Sequence, residues 1–393
     1  MTPPRRILIV AGEPSGDLHA SNLVKELKSL APDLEFFGLG GSLLAGAGAE
    51  IVFDISDLAL IGLVEVVRNI AAIKKAHDAL IKKIDSARPD LAILVDYPGF
   101  NLRLAKELKK RSIPVVYYIS PQVWAWGMDR IKIIKETVKK IVVFFKFEEE
   151  LYKRYGVDVE CVGHPLLDTV RATSSKDETM KRYGLSKDKF TVALLPGSRA
   201  IEVKRLLPVM LGAAAGINER MKRPVQFIIA KFKGLPPDLY EDSLNRPGLD
   251  MRLADGDAYN ILAASDFAVV ASGTATLETA IIGTPFLIVY KANLLTYLLY
   301  KMVARIPYLG LVNVIAKKEL VPELIQFDAT PEKIAAKVVE LMSDKAALKA
   351  MADGLKKTGG SLGAPGASRR AAQAILPILR SKIDPEDATN RSI

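Results

Sequence analysis

The sequence predicts an α/β protein made of two Rossmann-like domains that face a cleft, with C-terminal helices. Three observations lead to this fold class. Short apolar runs alternate with amphipathic helical stretches, which is typical of parallel sheets covered by helices on both faces. A chain of 393 residues is long for a single core. Both halves also open with a strand, a glycine-rich turn and a helix.

The elements of the first half define a first domain, predicted at residues 1–170. Apolar runs indicate its strands, and helical stretches separate most of them. The predicted strands are 7–11, 35–38, 51–53, 91–95, 115–119, 141–145 and 159–162.

The alternation stops at a polar connection and then resumes. Residues 171–190 are predicted to link the domains, and 191–345 to form the second one. Residues 346–383 are predicted as helices that pack on the first domain or on a partner chain, which leaves a homodimer open, and 384–393 as a frayed tail. The predicted elements of the second domain are strands 191–195, 225–230, 267–271 and 286–290 and a long helix at 201–220.

The charge balance favours an anionic partner. With 55 Lys+Arg and 45 Asp+Glu, the net charge is 55 − 45 = +10. No RNA-binding aromatic motif, zinc-finger spacing or basic tail is present, so nucleic acid is not expected. Cys161 is the only cysteine, which excludes an internal disulfide and fits a reducing cytosol. No run approaches the ~18 apolar residues of a membrane-spanning helix, so we expect a protein that is soluble or at most peripheral to a membrane.

The second domain opens on a turn suited to phosphate. Strand 191–195 ends at Pro196, and Gly197, Ser198 and Arg199 precede the long helix. Backbone amides at a helix N-terminus bind anions, and an arginine adds donors that match phosphate oxygens. A helix cap at Ser198 with a surface arginine is the alternative interpretation.

A second turn of the same domain strengthens the nucleotide interpretation. The strand in DFAVVASGTATLETA ends at Gly273 and Thr274, and Glu278 follows one turn later. A helix N-terminus suits a diphosphate and a nearby carboxylate suits a ribose diol, although Thr followed by Glu also occurs in simple helix caps. No Walker lysine motif is present, which argues against ATP hydrolysis.

The corresponding turns of the first domain are acidic. In LAILVDYPGFN, Asp96 comes directly after a strand, where parallel-sheet proteins bind ligands, and could accept a proton from an attacking hydroxyl. The alternative is that Asp96 only organises its turn. In GEPSGD, Glu13 is the better functional candidate, while Asp17 suits a helix N-terminus. Glu13, Asp96 and Asn101 would serve to hold a hydroxyl-rich ligand.

Three further segments have both a core and a ligand interpretation. YYISPQVWAWG contains Gln122, Trp124 and Trp126, and pattern alone favours a core role for its tryptophans. Segments 57–83 and 294–311 could receive acyl chains or lie at a membrane surface, or they could be ordinary core-facing helices. The candidate acyl or membrane contacts in them are Leu60, Ile61, Leu63, Val64, Val67, Leu298 and Leu299.

Two motifs that resemble ligand sites are discounted. GLGGSLLAGAG lacks the third glycine of a dinucleotide fingerprint, since Leu43 stands at that position. Asp255 and Asp257 form a D-x-D pair, but Asp257 looks like a helix cap, and no metal site is predicted. His164 precedes Pro165 at the domain junction, where it is either functional or part of a hinge.

Seven motifs together give the sequence a marked resemblance to the bacterial lipid-A-disaccharide synthases. The likeness covers nearly the whole chain in the right order, and GEPSGD and SPQVWAW are its most specific parts. The motifs are GEPSGD (12–17), VDYPGFN (95–101), SPQVWAW (120–126), VGHPLLD (162–168), LPGSR (195–199), SGTATLE (272–278) and LVNVIAKKELVPELIQ (311–326).

The resemblance implies a GT-B glycosyltransferase of lipid A biosynthesis that needs no metal and no cofactor. Such enzymes join UDP-2,3-diacylglucosamine to 2,3-diacylglucosamine 1-phosphate at the inner face of the cytoplasmic membrane, giving a β-1′,6 disaccharide and UDP. It implies that Asp96 is the general base, that Arg199 binds the diphosphate, and that Glu13 and Asn313 act near the reacting centre. It also implies nucleotide contacts from the SGTATLE segment, Thr276 among them. The candidate acceptor contacts are Ser15, Gly16, Asn101, Gln122 and Trp124.

The sequence departs from the family pattern at two places. Val312 precedes Asn313 where the family commonly has proline, and Lys317-Lys318 stands where Gly-Arg is frequent. Three alternative functions remain: a UDP-N-acetylglucosamine 2-epimerase, a glycosyltransferase with another lipid acceptor, and a non-catalytic, membrane-associated nucleotide sensor.

Overall fold

The computed structural model describes residues 4–58, 70–125, 127–244, 246–294, 297 and 307–380. The chain divides into two compact units. The first contains Met1–Asp168 and Gly363–Ile393, and the second contains Thr169–Leu362. The predicted linker at 171–190 therefore belongs to the second unit, and the predicted C-terminal helices at 346–383 divide between the two units.

The first unit contains a seven-stranded parallel sheet in the order β3-β2-β1-β4-β5-β6-β7. This is the doubly wound order, in which the order of strand addition reverses between β1 and β4 while all strands stay parallel. Residue pairs such as Ala11 and Val95 fix the register, and so the carboxyl ends of β1 and β4 lie side by side. The strands are β1 Arg5–Ala11, β2 Leu34–Gly40, β3 Ala49–Asp54, β4 Leu91–Val95, β5 Val115–Tyr118, β6 Lys140–Val143 and β7 Val159–Cys161.

Helices cover both faces of this sheet and are separated by short turns. The central strands β4 and β5 are buried at every residue, and β1 is buried from Ile7 to Ala11, as expected for a parallel sheet with two covered faces. The described helices are α1 Pro14–Leu30, α2 Ser42–Gly46, α3 Ile70–Ala87, α4 Pro98–Lys110, α5 Arg130–Thr137, α6 Lys146–Arg154 and, at the boundary with the second unit, α7 Leu166–Thr169.

The second unit repeats the plan with a six-stranded parallel sheet in the order β10-β9-β8-β11-β12-β13. Its strands are β8 Phe190–Leu195, β9 Val225–Lys231, β10 Met251–Asp255, β11 Phe267–Ala271, β12 Phe286–Tyr290 and β13 Glu323–Ile325. Its described helices are α8 Lys176–Arg182, α9 Ala200–Arg220, α10 Glu241–Leu244, α11 Ala258–Ala264, α12 Ala275–Ile282, α13 Leu311–Ala316, α14 Pro331–Ser343 and α15 Lys345–Gly360.

The helices predicted at 346–383 divide between the units. Helix α15 buries Met351 and Leu355 in the core of the second unit. The last described helix, α16 Ala367–Arg380, buries Ile375 and Leu379 against α1 in the first unit. Within the predicted linker 171–190, helix α8 packs on α11 and so belongs to the second unit.

Membrane-spanning segments are not found in the described part of the chain. None of its helices is both long enough and apolar enough to cross a bilayer.

Candidate functional site

A cavity of about 850 Å³ lies in the second unit at the carboxyl ends of its strands. Both predicted nucleotide turns line it, which brings Gly197, Ser198 and Arg199 together with Gly273, Thr274 and Glu278. This is the edge at which doubly wound sheets bind nucleotides. Its further lining residues include Arg171, Lys231, Phe232, Lys233, Asp257 and Tyr259, none of which the sequence analysis assigned to the nucleotide.

The first turn presents backbone amides at the start of α9. Gly197 adopts φ = 124°, a conformation that glycine tolerates and other residues rarely adopt. The amides of Ser198 and Arg199 both donate to Glu202 Oε2, over 3.1 and 3.3 Å. The guanidinium of Arg199 is 66% exposed and stands 3.6 Å from Glu202 Oε1. The turn thus has the donors of an anion site, and a carboxylate of the same chain occupies two of them.

The second turn leaves open space beside Gly273. This residue adopts φ = 152°, and a Cβ built on it would meet no atom within 4 Å. Thr274 is exposed at the start of α12 and makes no side-chain capping bond. Glu278 is half-buried, and its Oε1 accepts a hydrogen bond of 3.1 Å from the hydroxyl of Tyr259. Burial raises the pKa of Glu278, and the Tyr259 hydrogen bond opposes that shift.

Thr276 was predicted to contact the nucleotide, but it is not among the residues that line the cavity. It is fully buried, and its hydroxyl donates to the carbonyl of Gly273 over 2.8 Å. Its role is to hold the turn, because no part of the side chain is available to a nucleotide.

Both aspartates of the D-x-D pair form ion pairs or hydrogen bonds with other side chains of the protein. Asp255 Oδ2 pairs with the buried Lys231 at 2.7 Å. Asp257 Oδ2 pairs with Arg182 at 3.0 Å and accepts from the Tyr183 hydroxyl at 2.8 Å. Asp257 stands at the capping position of α11 but makes no side-chain capping bond, which corrects the prediction of its structural role. Among the described residues, no group of three or more His, Cys, Asp or Glu is placed to hold a metal.

In the first unit, Asp96 lies at the end of β4 in a strained turn. Asp96 and Tyr97 have φ values of 46° and 48°, in the left-handed region. A Cβ on Gly12 would lie 2.1 Å from the Tyr97 ring, so this turn packs directly on the end of β1. Burial, together with the negative charge of Glu13, raises the pKa of Asp96 to about 6. The two predicted carboxylates therefore form one electrostatic site.

Asn101 holds this turn from inside the protein, and its predicted contact with the acceptor stays a prediction. It is fully buried, and its Nδ2 donates to the carbonyls of Val95 and Asp96 at 3.2 and 2.8 Å. The hydroxyl of Tyr117 donates to the same Asp96 carbonyl at 2.6 Å. A left-handed turn leaves these carbonyls without strand partners, and Asn101 and Tyr117 satisfy them.

The GEPSGD turn combines exposed and buried groups. Glu13 and Ser15 are exposed, whereas Gly16 is buried beside Ala11 and Val95, so that only the backbone of Gly16 could approach a ligand. Asp17 is 3% exposed and accepts from the amides of Gly41, Leu43 and Leu44, between 2.7 and 3.2 Å. It therefore caps the neighbouring helix α2.

The SPQVW loop is anchored by a residue that the sequence analysis missed. Glu148, in the first turn of α6, is 4% exposed, and its Oε1 accepts from Ser120 Oγ and Trp124 Nε1, both at 3.1 Å. Burial raises the pKa of Glu148 to about 7. Trp124 is half-buried on Phe147, and Gln122 is exposed. The sequence gives no signal for this role, because a buried glutamate in the first turn of a helix looks the same in sequence as one on the surface.

Asn313, for which the resemblance implies a role near the reacting centre, is held by the segment that leads into β13, and that role stays a prediction. It is fully buried, and its Nδ2 donates to the Val321 carbonyl and to Glu323 Oε1, both at 2.8 Å. Its Oδ1 accepts from the amides of Leu320 and Val321 at 2.8 and 3.0 Å. All four hydrogen-bonding positions of the amide are used.

The departures from the family pattern lie in helix α13 and directly after it. Val312 lies buried within α13. Lys317 ends this helix in the left-handed conformation with φ = 54°, where glycine would be unstrained.

The remaining predicted contacts cannot be placed. The acyl or membrane candidates Leu60, Ile61, Leu63, Val64, Val67, Leu298 and Leu299 lie outside the described residues, as does Trp126.

His164 is 8% exposed, its Nδ1 accepts from the Leu166 amide at 3.2 Å, and burial lowers its pKa to about 3. It is therefore a neutral side chain that supports the turn before α7.

Comparison with known proteins gives consistent matches over nearly the whole chain. A family model described as lipid-A-disaccharide synthetase matches residues 7–376. The lipid-A-disaccharide synthase of Syntrophus aciditrophicus (strain SB) is 47% identical over 377 residues, which covers 95% of this chain and 98% of that protein. The corresponding protein of Geobacter sulfurreducens is 41% identical over 378 residues, which covers 96% of this chain and 98% of that protein.

Solved structures agree on the architecture. The crystal structure of CalG4, the calicheamicin glycosyltransferase, superposes with a TM-score of 0.61 at 15% identity and covers 98% of this chain and all of that one (100%). At this identity the likeness shows the fold alone. Together with the two parallel doubly wound sheets, it confirms the predicted α/β fold class as GT-B.

Proposed function

Because this chain belongs to the lipid-A-disaccharide synthase family and is a glycosyltransferase, we propose that it joins UDP-2,3-diacylglucosamine to 2,3-diacylglucosamine 1-phosphate. The products are the β-1′,6-linked disaccharide 1-phosphate and UDP. Family membership supports the reaction class. The single structural observation that supports the mechanism is Asp96 at the end of β4, whose backbone is strained and whose partly buried carboxyl lies in the field of Glu13.

Asp96 acts as the general base in this mechanism. The 6-hydroxyl oxygen of the acceptor attacks the anomeric carbon, the bond from that carbon to the diphosphate breaks, and Asp96 takes the hydroxyl proton. A carboxylate with a pKa of about 6 is still ionised at neutral pH and is a stronger base than an ordinary aspartate. Glu13 contributes by raising that basicity. Inversion at the anomeric carbon follows from attack opposite the leaving group.

The second unit binds UDP in the proposal. Arg199 and the amides at the starts of α9 and α12 stabilise the charge that grows on the departing diphosphate. Lys233 adds positive charge to the same cavity, whereas the charge of Lys231 is paired with Asp255. These groups supply what a cation would otherwise supply, so we expect the reaction to need no metal and no cofactor.

The acceptor is expected to contact exposed groups of the first unit. Ser15, Gln122 and Trp124 remain candidates, since each has exposed or half-exposed atoms. We further propose that the acyl chains lie on segments 57–73 and 294–305, which hold the enzyme at the inner surface of the cytoplasmic membrane. Light scattering distinguishes a monomer from a homodimer.

Mass spectrometry of the products tests the proposed reaction. The purified protein is incubated with donor and acceptor together, and a disaccharide 1-phosphate should appear with one equivalent of UDP. Incubation with UDP-N-acetylglucosamine alone should leave it unchanged, whereas a 2-epimerase would convert it. Release of UDP only with a different lipid acceptor would redirect the assignment, and binding of UDP without turnover of any pair would indicate a nucleotide sensor.

Two variants separate the proposed roles of the units. Asp96→Ala should lower turnover by at least about a thousandfold and leave UDP affinity within twofold of the wild type. Arg199→Ala should weaken UDP binding by about tenfold or more. If Asp96→Ala lost donor binding and rate in equal measure, the residue would be structural and the proposed base would be wrong.

A further inference from the structure

The carboxylate of Glu202 lies in the cradle that the proposed function assigns to the diphosphate. Its Oε2 accepts from the backbone amides of Ser198 and Arg199 over 3.1 and 3.3 Å. Its Oε1 faces the Arg199 guanidinium at 3.6 Å. All three residues line the cavity of the second unit. An anion of the protein itself therefore uses the donors that a bound phosphate would need.

The turn is closely fitted to this carboxylate. A Cβ on Gly197 would lie 2.5 Å from Glu202 Oε2 and 2.7 Å from Glu202 Cβ, so glycine is required by space as well as by its φ of 124°. The guanidinium of Arg199 is 66% exposed and can move toward a ligand. The two amides are fixed in the backbone and become available only when the Glu202 side chain turns away.

Carboxylate and diphosphate cannot share these donors. An amide hydrogen directed at one strong acceptor is lost to another, and two anions at contact distance repel each other. We propose that Glu202 is a product-release residue, whose carboxylate exchanges with the diphosphate of UDP on the amides of Ser198 and Arg199. The proposal rests on the proposed function, from which it takes the diphosphate site. Only hydrogen bonds are exchanged, and no covalent bond is made or broken.

A competing explanation gives the opposite prediction. A glutamate at the third position of a helix often accepts from the capping amide and stabilises the helix start. If Glu202 served only to shape the turn for UDP, its removal would weaken UDP binding. If Glu202 exchanges with the diphosphate, removal of its charge strengthens binding.

Isothermal titration with UDP separates the two explanations. In Glu202→Gln the amide oxygen still accepts from both backbone amides, and so the turn is retained while the charge is lost. We expect this variant to bind UDP about five- to tenfold more tightly than the wild type, with an equally lowered inhibition constant of UDP in the reaction. Glu202→Ala should also bind more tightly, with a lower thermal midpoint from the lost cap.

Two controls keep the result specific. Glu219→Gln removes the same charge from an exposed position near the other end of α9 and should leave UDP affinity within twofold. Uridine has no phosphate, and its affinity should be the same in all variants. Unchanged or weaker UDP binding in Glu202→Gln would overturn the proposal, as would equal tightening in Glu219→Gln.

The outcome also distinguishes this proposal from the proposed function. If wild-type protein fails to bind UDP, or if Arg199→Ala leaves UDP affinity unchanged, the diphosphate site itself is wrong and the exchange falls with it. If UDP binds and Arg199→Ala weakens it, but Glu202→Gln does not tighten it, only the exchange is wrong.

Discussion

Asp96 combines a left-handed backbone with a raised side-chain pKa. Aspartate is among the few residues that tolerate a φ of 46°. The side chains of Asn101 and Tyr117 hold the turn by donating hydrogen bonds to the Asp96 carbonyl. Burial raises the pKa of its carboxyl from 3.8 to about 6, and Glu13 adds to the shift. Local strain and a raised carboxyl pKa both destabilise the folded state, and such features concentrate at functional sites.

Asp96→Asn should make the protein more stable and inactive. The folded-state pKa lies above the unfolded value, so the neutral form is the one that the fold favours. Ionisation therefore reduces stability progressively as pH rises from about 4 to about 6, and the loss persists above that range. We expect Asn to add about 2 kcal/mol near neutral pH, measured by urea unfolding, and nothing below about pH 4.

Asp85→Asn is the matched control for this prediction. The hydrogen bond from Arg111 lowers the pKa of Asp85, so its ionised form is the one favoured by the fold and its removal should bring no gain. Equal or lower stability of Asp96→Asn near neutral pH would contradict the electrostatic account of this site.

The sequence predicted the position of site residues better than their burial. Asp96, Glu13 and Arg199 follow strands at the expected sheet edges, because a strand's end can be read from its apolar run. Asn101 and Thr276 closely follow strands β4 and β11, and Asn313 precedes β13, but all three are fully buried. Their amide and hydroxyl groups satisfy backbone atoms of the turns, a demand that appears only when the turn geometry is known.

At the scale of elements, the alternation of strands and helices was sufficient for the fold class, and the missed strands have a physical explanation. Strands β10 and β13 are the two edges of the second sheet. Edge strands are partly solvated, so MRLAD and ELI lack the continuous apolar pattern that marks the central strands. Their partners β9 and β12 were both predicted.

A hydrogen bond between helices α11 and α12 orients Glu278, the carboxylate expected to bind ribose. Tyr259 on α11 donates to Glu278 Oε1 on α12 at 3.1 Å, and both line the cavity of the second unit. Tyr259→Phe should weaken UDP binding about three- to tenfold and reduce the preference for UDP over 2′-deoxy-UDP, because the carboxylate loses the bond that orients it. Titration calorimetry with both nucleotides measures this.

Tyr183→Phe provides the comparison for the Tyr259 variant. Tyr183 also donates to a carboxylate, Asp257, at 2.8 Å, but it lies outside the cavity lining. Its loss should leave the 2′-hydroxyl preference unchanged. A preference that survives in Tyr259→Phe would show that Glu278 does not meet the ribose or does not need this support.

On the scale of the whole molecule, the chain returns to the first unit after completing the second. Helix α16 buries Ala371, Ile375 and Leu379 in the first core, and Arg370 donates to the Val162 and Ala364 carbonyls. The sequence could not distinguish this packing from docking on a partner chain, since an amphipathic helix shows which face is apolar and not what covers it. The first core is therefore completed by residues more than 200 positions away from its strands in sequence, as the Arg370–Val162 contact at a separation of 208 shows.

This arrangement predicts that stability and UDP binding can be separated by unit. Ile375 in α16 and Ile334 in α14 are both fully buried, one in each core. Each isoleucine-to-alanine change should cost about 2–5 kcal/mol in its own unit. Because two-domain proteins often unfold in more than one step, calorimetry should show which transition each variant lowers. UDP should raise only the transition that Ile334→Ala lowers, since its proposed cavity lies entirely in residues 169–290. A single transition that both variants and UDP shift equally would mean that the two units unfold as one cooperative body.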